Sequence, residues 1–330
     1  MVTLARDWEY YNENALAVNT YRVYNVAFSS YLDFCHQTNI RPLPASETSL
    51  SFYVCAQARR ISYSSIVTYL SDIQYHISIR GYHLRLSELQ GLYYLMRGIR
   101  RSQANLGLGR PTRLPVTLDY LAILIPYIHR NYPVPNSHML AAAVLVAFFG
   151  LLRSSEYTSR CRRAYESTNT LMSHDVTISN NIIYLHIKTS KTDPFRRGCT
   201  IKIGSNPSSL CPVSALRTYL NCRDQHQGPL FSFSDGSYLT RQVISDLLSR
   251  CFPDVNLSSH SLRIGGASRA ASIGLPDSVI RLLGRWSSGA YLRYIILQDT
   301  VIAGFSSRLV GPVVAPRNWN SLEDKSEPGH

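Results

Sequence analysis

Apolar and aromatic side chains recur at Tyr24, Ala27, Phe28, Tyr31, Phe34 and Cys35, the spacing of one helix face. This predicts a helix over Thr20–Cys35, closed by Pro42 and Pro44. Glu47–Arg59 reads as a second helix. Ser62–Ile79 reads as a third, with Ile66, Tyr69, Leu70, Ile73 and Ile77 on its apolar face and Gly81 as its stop. A fourth follows Ser87 as N-cap, carrying Leu89, Leu92, Leu95 and Met96. Residues 15–105 therefore read as a compact four-helix unit, and residues 1–14 as irregular. Gly107, Gly109, Pro111 and Pro115 interrupt the periodicity, so residues 106–116 read as a linker.

A second unit spans residues 117–310. It opens with a helix over Leu118–His129, followed by Pro133 and Pro135. The longest apolar run of the chain is Met139 to Leu152, too short for the roughly 20 residues that cross a bilayer. It predicts a buried helix over Ser137–Leu152. Strand-like sequence follows at Asp175–Ile178, Asn181–Ile187 and Gly198–Ile203, with a turn at Asn180–Asn181. Helical periodicity returns at Cys211–Arg223, Thr240–Cys251, His260–Ile273 and Asp277–Leu283, and an amphipathic segment covers Ile295–Val310. From Gly311 onward Pro, Ser, Asn and charge dominate, which predicts disorder for residues 311–330. The fold class is mainly α with a small antiparallel sheet: a helical N-terminal unit and a mixed α/β unit. No internal repeat is visible.

Charge narrows the picture. The 330 residues carry a formal charge of +13, and only Lys188, Lys191, Lys202 and Lys325 are lysines among 34 basic residues. Arginine presents a planar fork that grips phosphate bidentately, so an arginine-rich basic chain points to a nucleic-acid partner. Arg97, Arg100 and Arg101 share one face of the fourth helix and are candidate contacts to a DNA backbone. The seven cysteines are scattered without a C-x-x-C pair, as in reduced intracellular proteins, and give no zinc spacing. Residues 1–13 contain no apolar core of a signal peptide, and no membrane association is expected.

Four short motifs stand out in the second unit. They are Gly150-Leu-Leu-Arg153-Ser-Ser-Glu156, Ile187-Lys-Thr-Ser-Lys191-Thr-Asp193, His260-Ser-Leu-Arg263-Ile-Gly-Gly-Ala and Leu283-Gly-Arg-Trp286-Ser-Ser-Gly-Ala-Tyr291-Leu-Arg-Tyr294. As an ordered set they resemble the tyrosine recombinase (phage integrase) superfamily over residues 15–310. The last two are worded most like the recombinases of eukaryotic mobile elements of the Crypton and DIRS types.

The resemblance implies a helical core-binding domain and a catalytic domain clamped around duplex DNA. It implies site-specific recombination or integration through a 3′-phosphotyrosyl intermediate, without metal, ATP or another cofactor. A homotetramer would act on two DNA sites, in the nucleus. By motif match Arg153 and Arg263 bind the nonbridging oxygens of the scissile phosphate. Lys191, with Lys188 as the other candidate, protonates the leaving 5′-oxygen. His260 is an acid–base partner titrating near working pH, and Trp286 donates to the phosphate. Tyr294 is the nucleophile; Tyr291, three residues earlier, would fall about 4.5 Å short of the family spacing from Gly284. Glu156 orients Arg153. Lys188, Arg196 and Arg197 are further candidate backbone contacts. Arg285 departs from the family, which often has a small residue there. The alternative reading is a host-adopted DNA-binding protein that keeps the fold without catalysis. A type IB topoisomerase, which shares the chemistry, is a third.

Overall fold

The computed structural model describes residues 2–13, 15, 18–108, 113–189, 197–223, 227–297 and 301–303. The chain divides into two compact units, Met1–Pro111 and Thr112–His330.

Among the described residues the first unit is helical: α1 (Val2–Glu13), α2 (Val18–Thr38), α3 (Glu47–Ala58), α4 (Tyr63–Ser78) and α5 (Gln90–Asn105). Residues 1–14, expected to be irregular, thus hold a helix over nearly their whole length. Ser46 caps α3 in a reciprocal capping box with Ser49. Ser87, expected to cap the fourth helix, lies instead in a 3₁₀ turn over Leu86–Glu88. The amide end of α5 is served from another helix: the Glu47 carboxylate accepts the Leu92 N–H at 2.8 Å. A carboxylate suits that end, where unsatisfied N–H groups and the helix dipole favour negative charge. The core joins Phe28, Tyr31, Leu50, Tyr53, Ile66, Ile73, Ile77, Leu92 and Met96.

Asp72 of α4 is fully buried in this unit, and neither carboxylate oxygen has a hydrogen-bond partner. Burial lifts its pKa to about 6. Because the folded-state value is raised, the folded state holds the proton more tightly than the unfolded chain. The contribution of Asp72 to stability is therefore greatest at low pH and is lost as pH rises through about 6. Asp72→Asn removes the ionisable group. Measured by urea unfolding, its stabilising effect is expected to be larger at pH ~7.5 than at pH ~4, by about 2 kcal/mol. The same effect at both pH values would contradict the assignment.

The second unit contains α6 (Leu118–Asn131), α7 (Asn136–Phe149), α8 (Ser154–Tyr157), β1 (Val176–Ser179), β2 (Ile182–Ile187), β3 (Cys199–Gly204), α9 (Pro212–Asn221), α10 (Arg241–Cys251), α11 (Ser259–Ser272) and α12 (Asp277–Gly284), followed by a 3₁₀ helix over Gly289–Tyr294. The expected antiparallel sheet is present in the order β1-β2-β3. Asn180 and Asn181 both have positive φ, 50° and 58°, the conformation of a type I′ hairpin turn, which asparagine tolerates. The helix expected from the apolar run is α7, buried from Met139 to Phe148 at the centre of the core. Among the described residues no helix is long and apolar enough to cross a membrane. Of the Ile295–Val310 segment only residues 295–297 and 301–303 are described, and the 311–330 tail lies outside the described residues.

Candidate active site

The site is assembled where three distant segments meet. The first is the corner between α7 and α8. Leu151 takes a positive φ of 47° and turns the chain sharply. Arg153 then stands at the N-terminus of α8, donating from its backbone N–H to Glu156 Oε2 at 2.8 Å and from NH1 to Oε1 at 2.9 Å. The Glu156 side chain is only 2% exposed. Ser154 Oγ donates to Ser259 Oγ at 2.9 Å, which ties this corner to the start of α11.

The second segment is α11, with His260 and Arg263 nearly one turn apart. Gly265 and Gly266 let this helix lie directly on backbone. A Cβ would fall 1.8 Å from the Val116 carbonyl oxygen at Gly265 and 2.4 Å from that of Phe148 at Gly266. They serve helix packing and not phosphate cradling. The close approach leaves Arg263 fully buried. Its NH1 donates to the Leu151 carbonyl and its NH2 to the Gly284 carbonyl at 2.6 Å, while Nε has no partner.

The third segment follows α12. Arg285 adopts φ 57°, the left-handed conformation that ends the helix and folds the chain back, so that Trp286 N–H donates to Arg281 O at 3.0 Å. The Arg263 guanidinium lies 4.3 Å from the Trp286 ring and 5.4 Å from the Tyr294 ring. The Tyr294 ring stands 5.1 Å from His260 and 5.1 Å from Trp286. Ser268 pins the Tyr294 backbone: its Oγ donates to Tyr294 O at 3.1 Å and accepts Ile296 N–H at 2.8 Å. Tyr291 faces elsewhere. It is buried, 6.3 Å from Trp286, and the nearby Asp277 carboxylate raises the pKa of its hydroxyl.

Arg153, His260, Arg263, Trp286 and Tyr294 are therefore brought together. Two expectations change on electrostatic grounds. His260 does not titrate near neutral pH: burial pushes its pKa down to about 4, assisted by Arg263, Arg113, Arg153 and Arg241. Its imidazole is neutral at pH 7 and able to accept a proton. Lys188 is engaged in an ion pair. Its Nζ sits 2.7 Å from Asp175 Oδ2 and donates to Ser167 O at 3.0 Å. Asp175 is buried and also accepts the Met172 N–H at 2.8 Å. With the Thr189 hydroxyl donating to Asn169 Oδ1 at 2.9 Å, the pair fastens the base of the β2–β3 hairpin to the loop before β1. This is a structural task, unlike the DNA contact or proton donor expected of Lys188. Arg263 is also pushed down, to about 9, by burial and by Arg153 and Arg285, and stays charged at pH 7.

Lys191 and Arg196 lie outside the described residues. Arg197 is exposed. In the first unit Arg97, Arg100 and Arg101 are exposed on α5, with Arg97 5.8 Å from the Tyr93 ring and Arg100 5.9 Å from the Tyr63 ring. Among the described residues no group of three or more His, Cys, Asp or Glu could hold a metal ion. Sequence reading did not single out Arg113 and Arg241, which add positive potential at His260, or Ser268, for which no motif exists.

No family model matches the chain. A curated integrase/recombinase XerD homolog from Selenomonas ruminantium is 25% identical over 306 residues, covering 88% of this chain and 84% of the relative. Among solved structures, XerH site-specific recombinase bound to palindromic difH substrate aligns with TM-score 0.59 and 15% identity, over 88% of this chain and 78% of that one. The Tn1549 transposon integrase in complex with transposon right-end DNA aligns with TM-score 0.57 and 14% identity, over 89% and 95%. A lambda integrase dimer bound to a COC′ core site gives 0.55 and 15%, over 87% and 75%. The chain has the fold of the tyrosine recombinase superfamily. Within this recombinase fold the five clustered side chains come from three segments separated by more than 100 residues between Arg153 and His260 and brought together by backbone packing at Gly265 and Gly266.

Proposed function

We propose that the protein is a site-specific DNA recombinase that cleaves and rejoins duplex DNA through a 3′-phosphotyrosyl intermediate. The observation that carries this reading is the convergence of Tyr294 with His260, Arg263 and Trp286 within about one ring contact. The Tyr294 oxygen attacks the phosphorus and passes its proton to the neutral His260 imidazole. Arg153 and Arg263 stabilise the charge that develops on the nonbridging oxygens. The P–O bond to the 5′-oxygen breaks, and Lys191 supplies the proton that lets it leave as a hydroxyl. Attack by a second 5′-hydroxyl reverses these steps and exchanges strands without hydrolysis. Arg97, Arg100, Arg101 and Arg197 would contact the DNA backbone.

The finer reading is a Crypton- or DIRS-type mobile-element recombinase acting in the nucleus as a homotetramer on two DNA sites, independent of metal and ATP. The wording Gly284-Arg-Trp286-Ser-Ser and Tyr291-Leu-Arg-Tyr294-Ile supports it. Incubation with nicked suicide duplexes in EDTA, followed by denaturing electrophoresis, is the test. Wild type and Tyr291→Phe are expected to form a covalent protein–DNA adduct, and Tyr294→Phe is expected to bind DNA without forming one. DNA binding with no adduct from wild type would favour the host-adopted, non-catalytic reading. Relaxation of a supercoiled plasmid without two-site recombination would favour a topoisomerase.

A further inference from the structure

Arg285 occupies a costly backbone conformation. Its φ of 57° is left-handed, a region that disfavours any residue with a Cβ. The guanidinium it carries is deeply engaged. NH2 donates to Glu156 Oε2 at 2.7 Å and to Leu151 O at 3.2 Å, and NH1 to Leu283 O at 3.1 Å and Gly150 O at 3.3 Å. The side chain is 13% exposed.

Two of these acceptors are the anchors of the arginine pair. Leu151 O also receives Arg263, and Glu156 also holds Arg153. The residue itself is one step before Trp286 and nine before Tyr294. A single guanidinium thus joins the segment that carries Trp286 and Tyr294 to the corner that carries Arg153. It also divides the Glu156 carboxylate between two cations. With Arg285 present, three guanidinium groups face one carboxylate and the cluster keeps the positive surplus an anion requires. Without it, Glu156 pairs with Arg153 alone and cancels that charge in a buried setting, where ion pairs are least screened.

We infer that Arg285 is a positioning residue: through Glu156 and the Leu151 carbonyl it sets the register of Tyr294 against Arg153 and Arg263 and leaves Arg153 its charge for phosphate. This rests on the recombinase reading. It assigns a task to a residue that the motif comparison marks only as a departure.

Arg285→Gly is the informative variant, because glycine accepts the left-handed conformation and the helix end is retained. With saturating nicked duplex, single-turnover adduct formation is expected to fall at least about 30-fold, a typical loss for disrupted transition-state electrostatics. DNA affinity should stay near wild type, while the thermal midpoint falls with the four hydrogen bonds that are lost. Ethylguanidinium should restore at least about fivefold of the lost rate in Arg285→Gly, while equimolar ethylammonium should not, because only the fork can bridge Glu156 and the carbonyl. A merely structural role would lower the thermal midpoint alike but leave the rate unresponsive to the free guanidinium. Adduct formation within about threefold of wild type, or a loss that ethylguanidinium leaves untouched, overturns the inference. Should wild type form no adduct, the recombinase reading itself fails. Positioning is then judged by calorimetric binding of orthovanadate, expected to weaken at least about tenfold in Arg285→Gly and equal in both proteins if the inference is wrong.

Discussion

Arg263→Ala is expected to reduce DNA cleavage by at least about a thousandfold while retaining duplex binding. Tyrosine, with an ordinary pKa near 10, is a weak nucleophile at pH 7, so the barrier is lowered chiefly by the charge waiting at the phosphate. Arg263 is the buried member of that charge. Its burial and its two carbonyl partners hold it in place before DNA arrives, so little reorganisation accompanies the reaction. Binding draws mainly on many exposed backbone contacts, so loss of one buried guanidinium barely touches it. The same side chain also supports the fold by joining Leu151 O to Gly284 O. Arg263→Lys, which keeps the charge and loses the fork, is therefore measured beside it, with circular dichroism on both. Both are expected to be folded and strongly impaired in single-turnover cleavage. A folded alanine variant that cleaves within about threefold of wild type would remove Arg263 from the site.

The second large effect concerns the proton that the leaving 5′-oxygen takes. Lys191→Ala is expected to abolish cleavage of ordinary DNA and to recover most of its rate on a substrate whose 5′-bridging oxygen is sulfur. A thiolate leaves without a proton, so the defect should vanish only for a residue that supplies one. Lys188→Ala is the control. Its ammonium is paired with Asp175 at 2.7 Å, so its removal takes the lysine partner from a buried carboxylate and loosens the hairpin base. That defect should slow both substrates alike. Sulfur rescue of Lys188→Ala, without rescue of Lys191→Ala, would reverse the two assignments.

Much of the fold is written in local pattern. The run from Met139 to Phe148 is apolar on all sides because α7 is surrounded by core, and Asn180–Asn181 announces its hairpin because few other residues accept two successive positive φ values. The candidate site was legible where a motif names a residue type and a spacing, as for Arg153, His260, Arg263, Trp286 and Tyr294. What sequence could not supply were interactions between distant segments. Ser87 is a good N-cap by composition, yet Glu47 from another helix serves α5. His260 has an ordinary pKa in isolation, and only the folded chain surrounds it with arginines and removes its water. Lys188 is one of few lysines and lies in a candidate catalytic motif, but Asp175, 13 positions away, pairs with it. The helix of residues 2–13 shows the opposite failure. Its weak apolar pattern gave no reason to expect α1, and Trp8, Tyr10 and Tyr11 stay exposed on it.

The central claim is that Tyr294 forms a covalent bond to DNA. Trapping the wild-type protein on a nicked suicide duplex, digesting it with protease and sequencing the DNA-linked peptide by mass spectrometry tests this directly. The account predicts a single nucleotide-modified site at Tyr294, joined through a 3′-phosphate. A modification at Tyr291, which the structure places against Asp277, or no covalent peptide from a protein that binds the same duplex, would contradict it.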